Sequence, residues 1–400
     1  MKTCRIAALI TGAILLAAPA AASARPWQIE GTAVVDGAGR PVALRGVNVG
    51  NWLLWEGWMF GGTLIGGESV ILDRVAQVSG SNAARRFHRR YQDAFIKEGD
   101  IAAMARAGFT VIRLPINWRS LVTDNDCLAC DGQGFRHIDR LLGWARGHGL
   151  KVILDMHAVP GAQAGLLTAD TTLGKADYWK DRRHQMRLVA LWTEVARRYA
   201  GDDTVAGYDL INEPSAPSGA ALVAAYRELI AAIRRVDRDH IIWVEGNRLG
   251  SDLSVFTRPL GRNVGYSTHI YTFPFDRRAE RLSAAAEASR RLNAPVWVGE
   301  FGMADDATTA QTIRMIEATP GVVGWTYWSW KRAANGKPAP CALDMPAAWK
   351  QVAPWVTGGV FRRAPQPQVF DRGITALLAY IEAERCVPAP GMMAALGARP

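Results

Sequence analysis

Two carboxylates stand where apolar, strand-like runs end. Asn212-Glu213-Pro214 closes the run from Val205 to Ile211, and Glu300 closes the run from Pro295 to Gly299. A pair of glutamates offered from separate strand ends to one water-accessible mouth suits cleavage of a glycosidic bond. One acid protonates the leaving oxygen, and one anion meets the developing oxocarbenium charge. Other runs finish on polar or aromatic residues in the same way: Arg113 in Ile-Arg-Leu-Pro, His157 in Leu-Asp-Met-His, His269 and Tyr271 in Thr-His-Ile-Tyr, and Trp328 in Trp-Thr-Tyr-Trp-Ser-Trp. Singly, each has a structural explanation: Arg113 as an ion-pair partner, either histidine as a hydrogen-bonded core residue, Trp328 as packing. Their recurrence at successive strand ends points to one shared site.

The elements that would position them alternate along the chain. Strand-like runs near 42–48, 110–116, 151–157, 205–212, 240–246, 264–271, 295–300 and 322–329 are separated by helical periodicity near 83–107, 137–148, 180–200, 219–236, 279–292 and 308–318, with a last helix near 373–385. Eight strands alternating with helices predict the α/β class and a single (β/α)8 TIM barrel, whose active sites gather at the C-terminal ends of the strands. No internal repeat or low-complexity linker divides the chain. Residues 331–372, rich in Pro, Gly and Trp, read as a long connection after the eighth strand that shapes a cleft. The segment 387–400 has no periodicity and reads as a tail, either disordered or packed on the barrel floor.

Lys2 and Arg5, the apolar run from Ile6 to Ala18 and Ala22-Ser23-Ala24 have the order of a secretory signal peptide, with cleavage expected after Ala24. Residues 1–24 are thus expected to be removed, 25–386 to form the catalytic barrel, and the protein to be secreted or periplasmic. Taking 24 residues from 400 leaves 376, which suits one large barrel. The apolar run is too short to span a bilayer, so no membrane anchor is expected. Net charge falls from +10 to +8 once Lys2 and Arg5 leave. The basic residues are scattered over helical patterns, which favours a solvated surface over a nucleic-acid partner. Cys127, Cys130, Cys341 and Cys386 remain, and an oxidising compartment lets them pair. Cys127-Leu-Ala-Cys130 has no second ligand pair nearby, so a loop disulfide or free thiols are favoured over zinc.

The order Arg113, His157, Asn212-Glu213, His269-x-Tyr271, Glu300, Trp328 resembles glycoside hydrolase family 5, the clan A retaining β-glycanases, over nearly the whole mature chain. The resemblance implies Glu213 as acid/base and Glu300 as nucleophile, no metal and no cofactor. Physical reasoning adds expectations for their environments. Arg113 and the Tyr271 hydroxyl should lower the pKa of Glu300, while the Glu300 charge should raise that of Glu213. Asn212 is expected to hold a sugar 2-hydroxyl, His269 to orient Glu213, and Trp328 to lie under the sugar ring. The stretch Arg45 to Trp58 and the run His157-Ala-Val-Pro-Gly-Ala-Gln163 look like the exo-β-1,3-glucanase branch, in which the residue matching Glu56 contacts the non-reducing glucose. After Gln163 this chain departs from that branch with Ala-Gly-Leu-Leu, leaving an open cleft as an alternative to an exo-type pocket.

Among the aromatics, Trp118, Trp179 and Phe273 are expected in the cleft, and Trp192, Trp243 and Trp349 in structural positions. The expected activity is a retaining β-glucanase on β-1,3- or β-1,4-glucan, acting as a monomer on a polysaccharide or oligosaccharide. The alternatives are a β-mannanase, a glycolipid or exopolysaccharide glycosidase, a transglycosylase, or a carbohydrate-binding barrel without turnover.

Overall fold

The structure is a computed structural model describing residues 25–63, 66–122, 133–171, 174–334, 338–359, 362–383 and 387–398. The expected leader and Cys127, Cys130 and Cys386 lie outside the described residues. Cys341 is disulfide-bonded.

Eight parallel strands close a barrel: β1 (Leu44–Asn48), β2 (Val111–Asn117), β3 (Lys151–Ala158), β4 (Val205–Asp209), β5 (Ile241–Glu245), β6 (Val264–Ile270), β7 (Val296–Gly302) and β8 (Val322–Trp328), with β8 pairing back to β1. The expected (β/α)8 TIM barrel is therefore present. Asp181, Ser218 and Asp305 start helices Arg182–Tyr199, Gly219–Arg234 and Asp306–Glu317, each side chain accepting a first-turn backbone N–H.

The helical run expected near 83–107 is two helices, Ser81–Phe95 and Glu98–Arg106. Ile96 is extended and fully buried, and the Asp100 carboxylate accepts the Lys97 N–H at 3.0 Å to start the second helix. Asp100 also takes the Trp330 indole N–H at 2.9 Å and Lys331 Nζ at 2.7 Å, which ties the segment after β8 to the wall of the barrel. The long connection after β8 is itself structured. It holds the short strands Lys331–Ala333 and Cys341–Leu343 and helix Ala347–Val356, which packs on helix Pro367–Glu382 and on an unexpected helix, Glu68–Ser79. Beyond residue 386, Val387–Pro388 pairs with Cys341 and Ala342, and helix Pro390–Ala395 packs on Asp306–Glu317, so the chain continues as part of the fold past the expected domain boundary.

The barrel interior is layered. At the floor, Leu44, Val111, Ile153, Ala206, Ile241, Trp243 and Trp297 form an apolar plug, joined from below by Trp27 and Val34 of the hairpin Gln28–Glu30/Ala33–Val35. Trp243 and Trp297 pack with ring centroids 5.5 Å apart, and the guanidinium of Arg113 lies 6.0 Å above the Trp297 ring. The plug is the shelf on which the polar layer rests. Trp297→Ala is expected to destabilise the protein by roughly 3–5 kcal/mol in urea unfolding, the cost of emptying a filled aromatic site. A loss under about 1 kcal/mol would mean that the floor does not support the barrel.

Candidate active site

Arg113, at the axis of the barrel, organises the layer above the plug. It is fully buried, and its guanidinium reaches Asp155 (3.1 Å), Asp209 (3.0 Å), Glu245 (3.1 Å) and Glu300 (2.5 Å). It also donates to the side-chain oxygens of Asn48 at 3.1 Å and Asn212 at 2.8 Å. Burial opposes its charge, and the carboxylates of Asp155, Asp209, Glu300 and Glu245 outweigh burial. Asp209 responds in the opposite sense, since burial and the Glu245 charge push its carboxyl well up.

Glu300 owes its inward direction to an irregularity. Alternate residues of a barrel strand face the axis, so with Trp297 inward, Gly299 would follow and Glu300 would point out. The register between β6 and β7 shifts by one residue between the pairs Thr268↔Val298 and His269↔Glu300, and this bulge turns Glu300 into the mouth beside His269. Gly299 suits the bulge because a Cβ there would meet Ser267 Oγ at 2.6 Å and His269 Nε2 at 3.2 Å. The Tyr271 hydroxyl donates to Glu300 Oε2 at 2.8 Å, so Arg113 and Tyr271 hold one carboxylate oxygen each, the two contacts anticipated.

Glu213 follows β4 with its backbone at φ 44, a left-handed conformation uncommon for a residue with a side chain. Its N–H donates to Glu245 Oε2 at 2.8 Å, Ser215 N–H donates to the Gln163 carbonyl at 3.0 Å, and Leu249 N–H to the Pro214 carbonyl at 3.1 Å. Gln163 itself donates to the carbonyls of His157 and Asn212, joining the ends of β3 and β4. His269 bridges two carboxylates: Nδ1 lies 3.1 Å from Glu213 Oε1, and Nε2 lies 3.2 Å from Glu245 Oε1. Burial disfavours the imidazolium, but the charges of Glu245 and Glu300 and the Glu213 hydrogen bond outweigh it and hold the His269 proton well above the ordinary value.

This reverses one expectation. Burial alone would raise Glu213, yet the hydrogen bond and charge of His269 keep its carboxyl below the usual value, so the proton of this pair rests on the imidazole. Donor atoms of Glu213, His269 and Glu300 lie within 4.8 Å of one another, a spacing that a divalent cation could also use. An imidazolium has no lone pair to give, and the two carboxylates facing His269 favour that form.

A cavity of about 400 Å³ opens over this layer, lined by Glu56, Trp58, Leu166, Thr168, Glu213, Arg248, Leu249, His269, Tyr271, Phe273, Pro274, Arg281, Glu300, Met303 and Trp328. Six of the nine residues singled out in the sequence line it, and Arg113, His157 and Asn212 lie directly beneath. His157 Nδ1 donates to the Asp155 carboxylate at 2.7 Å, and its ring stacks on Trp328 with centroids 5.2 Å apart and planes 18° apart, which fixes that indole in the mouth. Asn212 Nδ2 is a buried donor with no partner among the described residues, beside the two glutamates. Glu56 is buried against Trp58, whose indole N–H donates to it at 2.5 Å, and burial pushes its carboxyl up to about 7.

Of the aromatics expected in the cleft, only Phe273 lines the cavity. Trp118 lies between the guanidinium groups of Arg119 (4.7 Å) and Arg187 (4.6 Å), and Trp179 donates to the Gln163 carbonyl at 2.8 Å. Trp192, Trp243 and Trp349 are fully buried, as expected. Sequence reasoning missed Asn48, Asp155, Asp209, Gln163 and Glu245. The signal was present in Asp155, Asp209 and Glu245, since an acidic residue near the end of a buried apolar strand must find a cation.

Glu245 and Glu56 each yield a test. Glu245→Gln removes a charge that favours the His269 proton, so the alkaline limb of the kcat/KM profile should move to lower pH; a uniform loss with an unmoved profile would assign Glu245 a purely structural part. Glu56 has a folded-state pKa above its ordinary value of 4.5, so its protonation stabilises the fold fully below about pH 4.5, and that contribution fades as pH rises through about 7. The gap corresponds to about 3 kcal/mol. Glu56→Gln should therefore gain stability relative to wild type between pH 5 and pH 8 in urea unfolding, and a constant difference would place the Glu56 carboxyl near its ordinary pKa.

A β-xylosidase of Phanerodontia chrysosporium is 32% identical over 292 residues, covering 69% of this chain and 61% of that protein, so the chain spans about three fifths of that relative. A protein described as probable glucan 1,3-beta-glucosidase A, from Emericella nidulans, is 30% identical over 282 residues, 66% of this chain and 68% of that one. Among solved structures, an endogalactoceramidase superposes with a TM-score of 0.60 at 21% identity, covering 78% of this chain and 76% of that one. A rutinosidase from Aspergillus niger gives a TM-score of 0.58 at 18% identity, over 74% and 92%. At such identities these two structures share the fold. Residues 70–334 match the sequence profile described as cellulase, glycosyl hydrolase family 5, and the chain belongs to that family of glycosidases.

Proposed function

We propose that this protein is a secreted hydrolase of β-linked glucosyl units in β-1,3- or β-1,4-glucan, working by double displacement with retention. The observation that carries the reading is the closeness of the two carboxylates, with an oxygen of Glu213 and an oxygen of Glu300 no more than 4.8 Å apart. Retaining glycosidases hold their carboxyls about 5–5.5 Å apart, whereas inverting ones leave roughly 6.5–9.5 Å for a water. In the first step Glu300, oriented by Arg113 and Tyr271, attacks the anomeric carbon while Glu213 protonates the leaving oxygen. The His269 imidazolium, 3.1 Å from Glu213 Oε1, supplies that proton across one hydrogen bond. In the second step Glu213, as carboxylate, takes a proton from the water that releases the sugar. The free Asn212 donor meets a sugar hydroxyl, Trp328 underlies the ring, and Glu56 binds the hydroxyls of the glycone. The names of the glucan-directed relatives support glucose as that glycone.

A cavity of about 400 Å³ is near the small end of the ~300–1,000 Å³ range of ligand pockets and favours short occupancy, hence release of small products. Export rests on the leader pattern of residues 1–24 and is tested by sequencing the N-terminus of exported protein, expected to begin at Arg25.

Proton NMR of an aryl β-glucoside digest should show the β-anomer first, and the α-anomer first would exclude double displacement. Glu213→Ala should slow hydrolysis of poor leaving groups by roughly 10²–10⁴-fold while sparing activated aryl glucosides in the first step. Glu300→Ala should abolish turnover of both, and undiminished release by that variant would remove Glu300 from the chemistry.

A further inference from the structure

We propose that the leaving-group side of this site recognises a negative charge, so that the β-glucan cleaved best carries a carboxylate or a phosphate ester on the glucose beyond the scissile bond. Resting on the double-displacement reading, in which Glu213 protonates the leaving oxygen, this assignment narrows the glucan substrate and keeps the sugar–sugar bond. The cavity lining divides by strand. Glu56 and Trp58 follow β1, Met303 follows β7 and Trp328 ends β8, which together make the side given to the glycone. Thr168, Arg248 and Arg281 follow β3, β5 and β6, the strands around β4, which presents Glu213.

Each of the three is tied to the acid. The Thr168 hydroxyl donates to Glu213 Oε2 at 3.4 Å. Arg281, on helix Arg278–Leu292, donates from Nη1 to the His269 carbonyl at 2.9 Å, and the His269 ring lies 3.1 Å from Glu213 Oε1. Arg248 (φ 52) and Leu249 (φ 60) are consecutive left-handed residues with side chains, a conformation that persists only where its surroundings impose it. What holds them is the Leu249 N–H, which donates at 3.1 Å to the carbonyl of Pro214, the residue next to Glu213.

These two arginines bring more positive charge to the mouth than their neighbours cancel. Arg277 is held by Glu280 at 2.7 Å and Arg278 by Asp276 at 2.7 Å, whereas the half-buried Arg281 has no ion pair among the described residues. Its Nε and Nη2 make no hydrogen bond there either, so most of its five N–H donors are open to a ligand. Burial and the Arg277 charge disfavour the Arg281 cation, and Glu280 and Glu213 offset them only in part. The Arg248 side chain is 82% exposed, with Asp252 at 4.0 Å, and that aspartate already caps Ser254. Guanidinium groups meet carboxylates and phosphates through parallel charge-assisted N–H bonds, which a neutral sugar hydroxyl matches only weakly.

The experiment holds glycone and linkage constant. It compares the β-1,3- and β-1,4-linked glucose disaccharides with the same compounds in which C6 of the leaving glucose is oxidised to a carboxylate or its hydroxyl phosphorylated, and the two acids separate a uronate from a phosphate ester. For wild type at low salt, kcat/KM for at least one acid should exceed that of its neutral parent by roughly tenfold, and added salt should shrink the advantage. Arg281→Gln and the exposed Arg248→Gln should each move the acidic-to-neutral ratio toward one, while Arg281→Lys, which keeps the charge, should hold it above the Arg281→Gln value. A merely structural part for Arg281 would slow neutral and acidic substrates alike. A wild-type ratio of one or below, a ratio that neither Gln variant alters, or cleavage of an aryl β-glucoside alone would overturn the anion assignment and leave the hydrolase reading standing. No turnover of the disaccharides or the aryl β-glucoside by folded wild type would overturn both.

Discussion

Burying the Arg113 cation at the axis of the barrel is the constraint from which the site follows. A guanidinium removed from water must be met by anions and acceptors in its own plane, and four carboxylates and two asparagine oxygens converge on it from β1, β3, β4, β5, β7 and the segment that follows β4. Each of those groups is in turn aimed by its bond to the arginine. A buried ion cluster of this kind contributes little net stability, because desolvation offsets much of the attraction. What it provides is position: Glu300 and Asn212 cannot rotate without leaving a buried charge or donor unmatched. The apolar plug of Trp243 and Trp297 below supplies the dry surface against which that geometry is held.

The protonation pattern is a consequence of the same crowding. Several carboxylates share one arginine, so the remaining negative charge is balanced on His269, which becomes an imidazolium between Glu213 and Glu245. Treating Glu213 and Glu300 as an isolated pair suggests that one raises the pKa of the other. With the imidazolium in place, Glu213 and His269 are better described as a unit that holds one proton, its location set by what else is charged nearby.

The two catalytic candidates reach the mouth by different distortions of regular structure. Glu300 is turned inward by a bulge in β7, and Glu213 by a left-handed residue just past the end of β4. Both distortions sit where glycines relieve crowding, Gly299 beside His269 and Gly250 against Glu245 Oε2, with the backbone of Gly250 at φ +75. Regular strand geometry builds the scaffold, and departures from it aim the chemistry.

Alternating strand and helix periods in the sequence determined the barrel, because a parallel βα repeat of eight has essentially one way to close, and polar residues at the ends of apolar strands marked the mouth. The eight residues chosen on that basis, and Glu56 from the family resemblance, lie in or directly under one cavity. Linear order could not determine which side chains turn inward after a bulge, which acidic residues share the arginine, or where the proton of the acid resides. Asp155, Asp209 and Glu245 look like isolated charges along the chain and become a site only when their strands close around one cation. Trp118 and Trp179 carry the composition of sugar platforms, yet neither lines the cavity. Facing and protonation are set by contacts between residues tens to hundreds of positions apart, and those distances exist only once the barrel has closed.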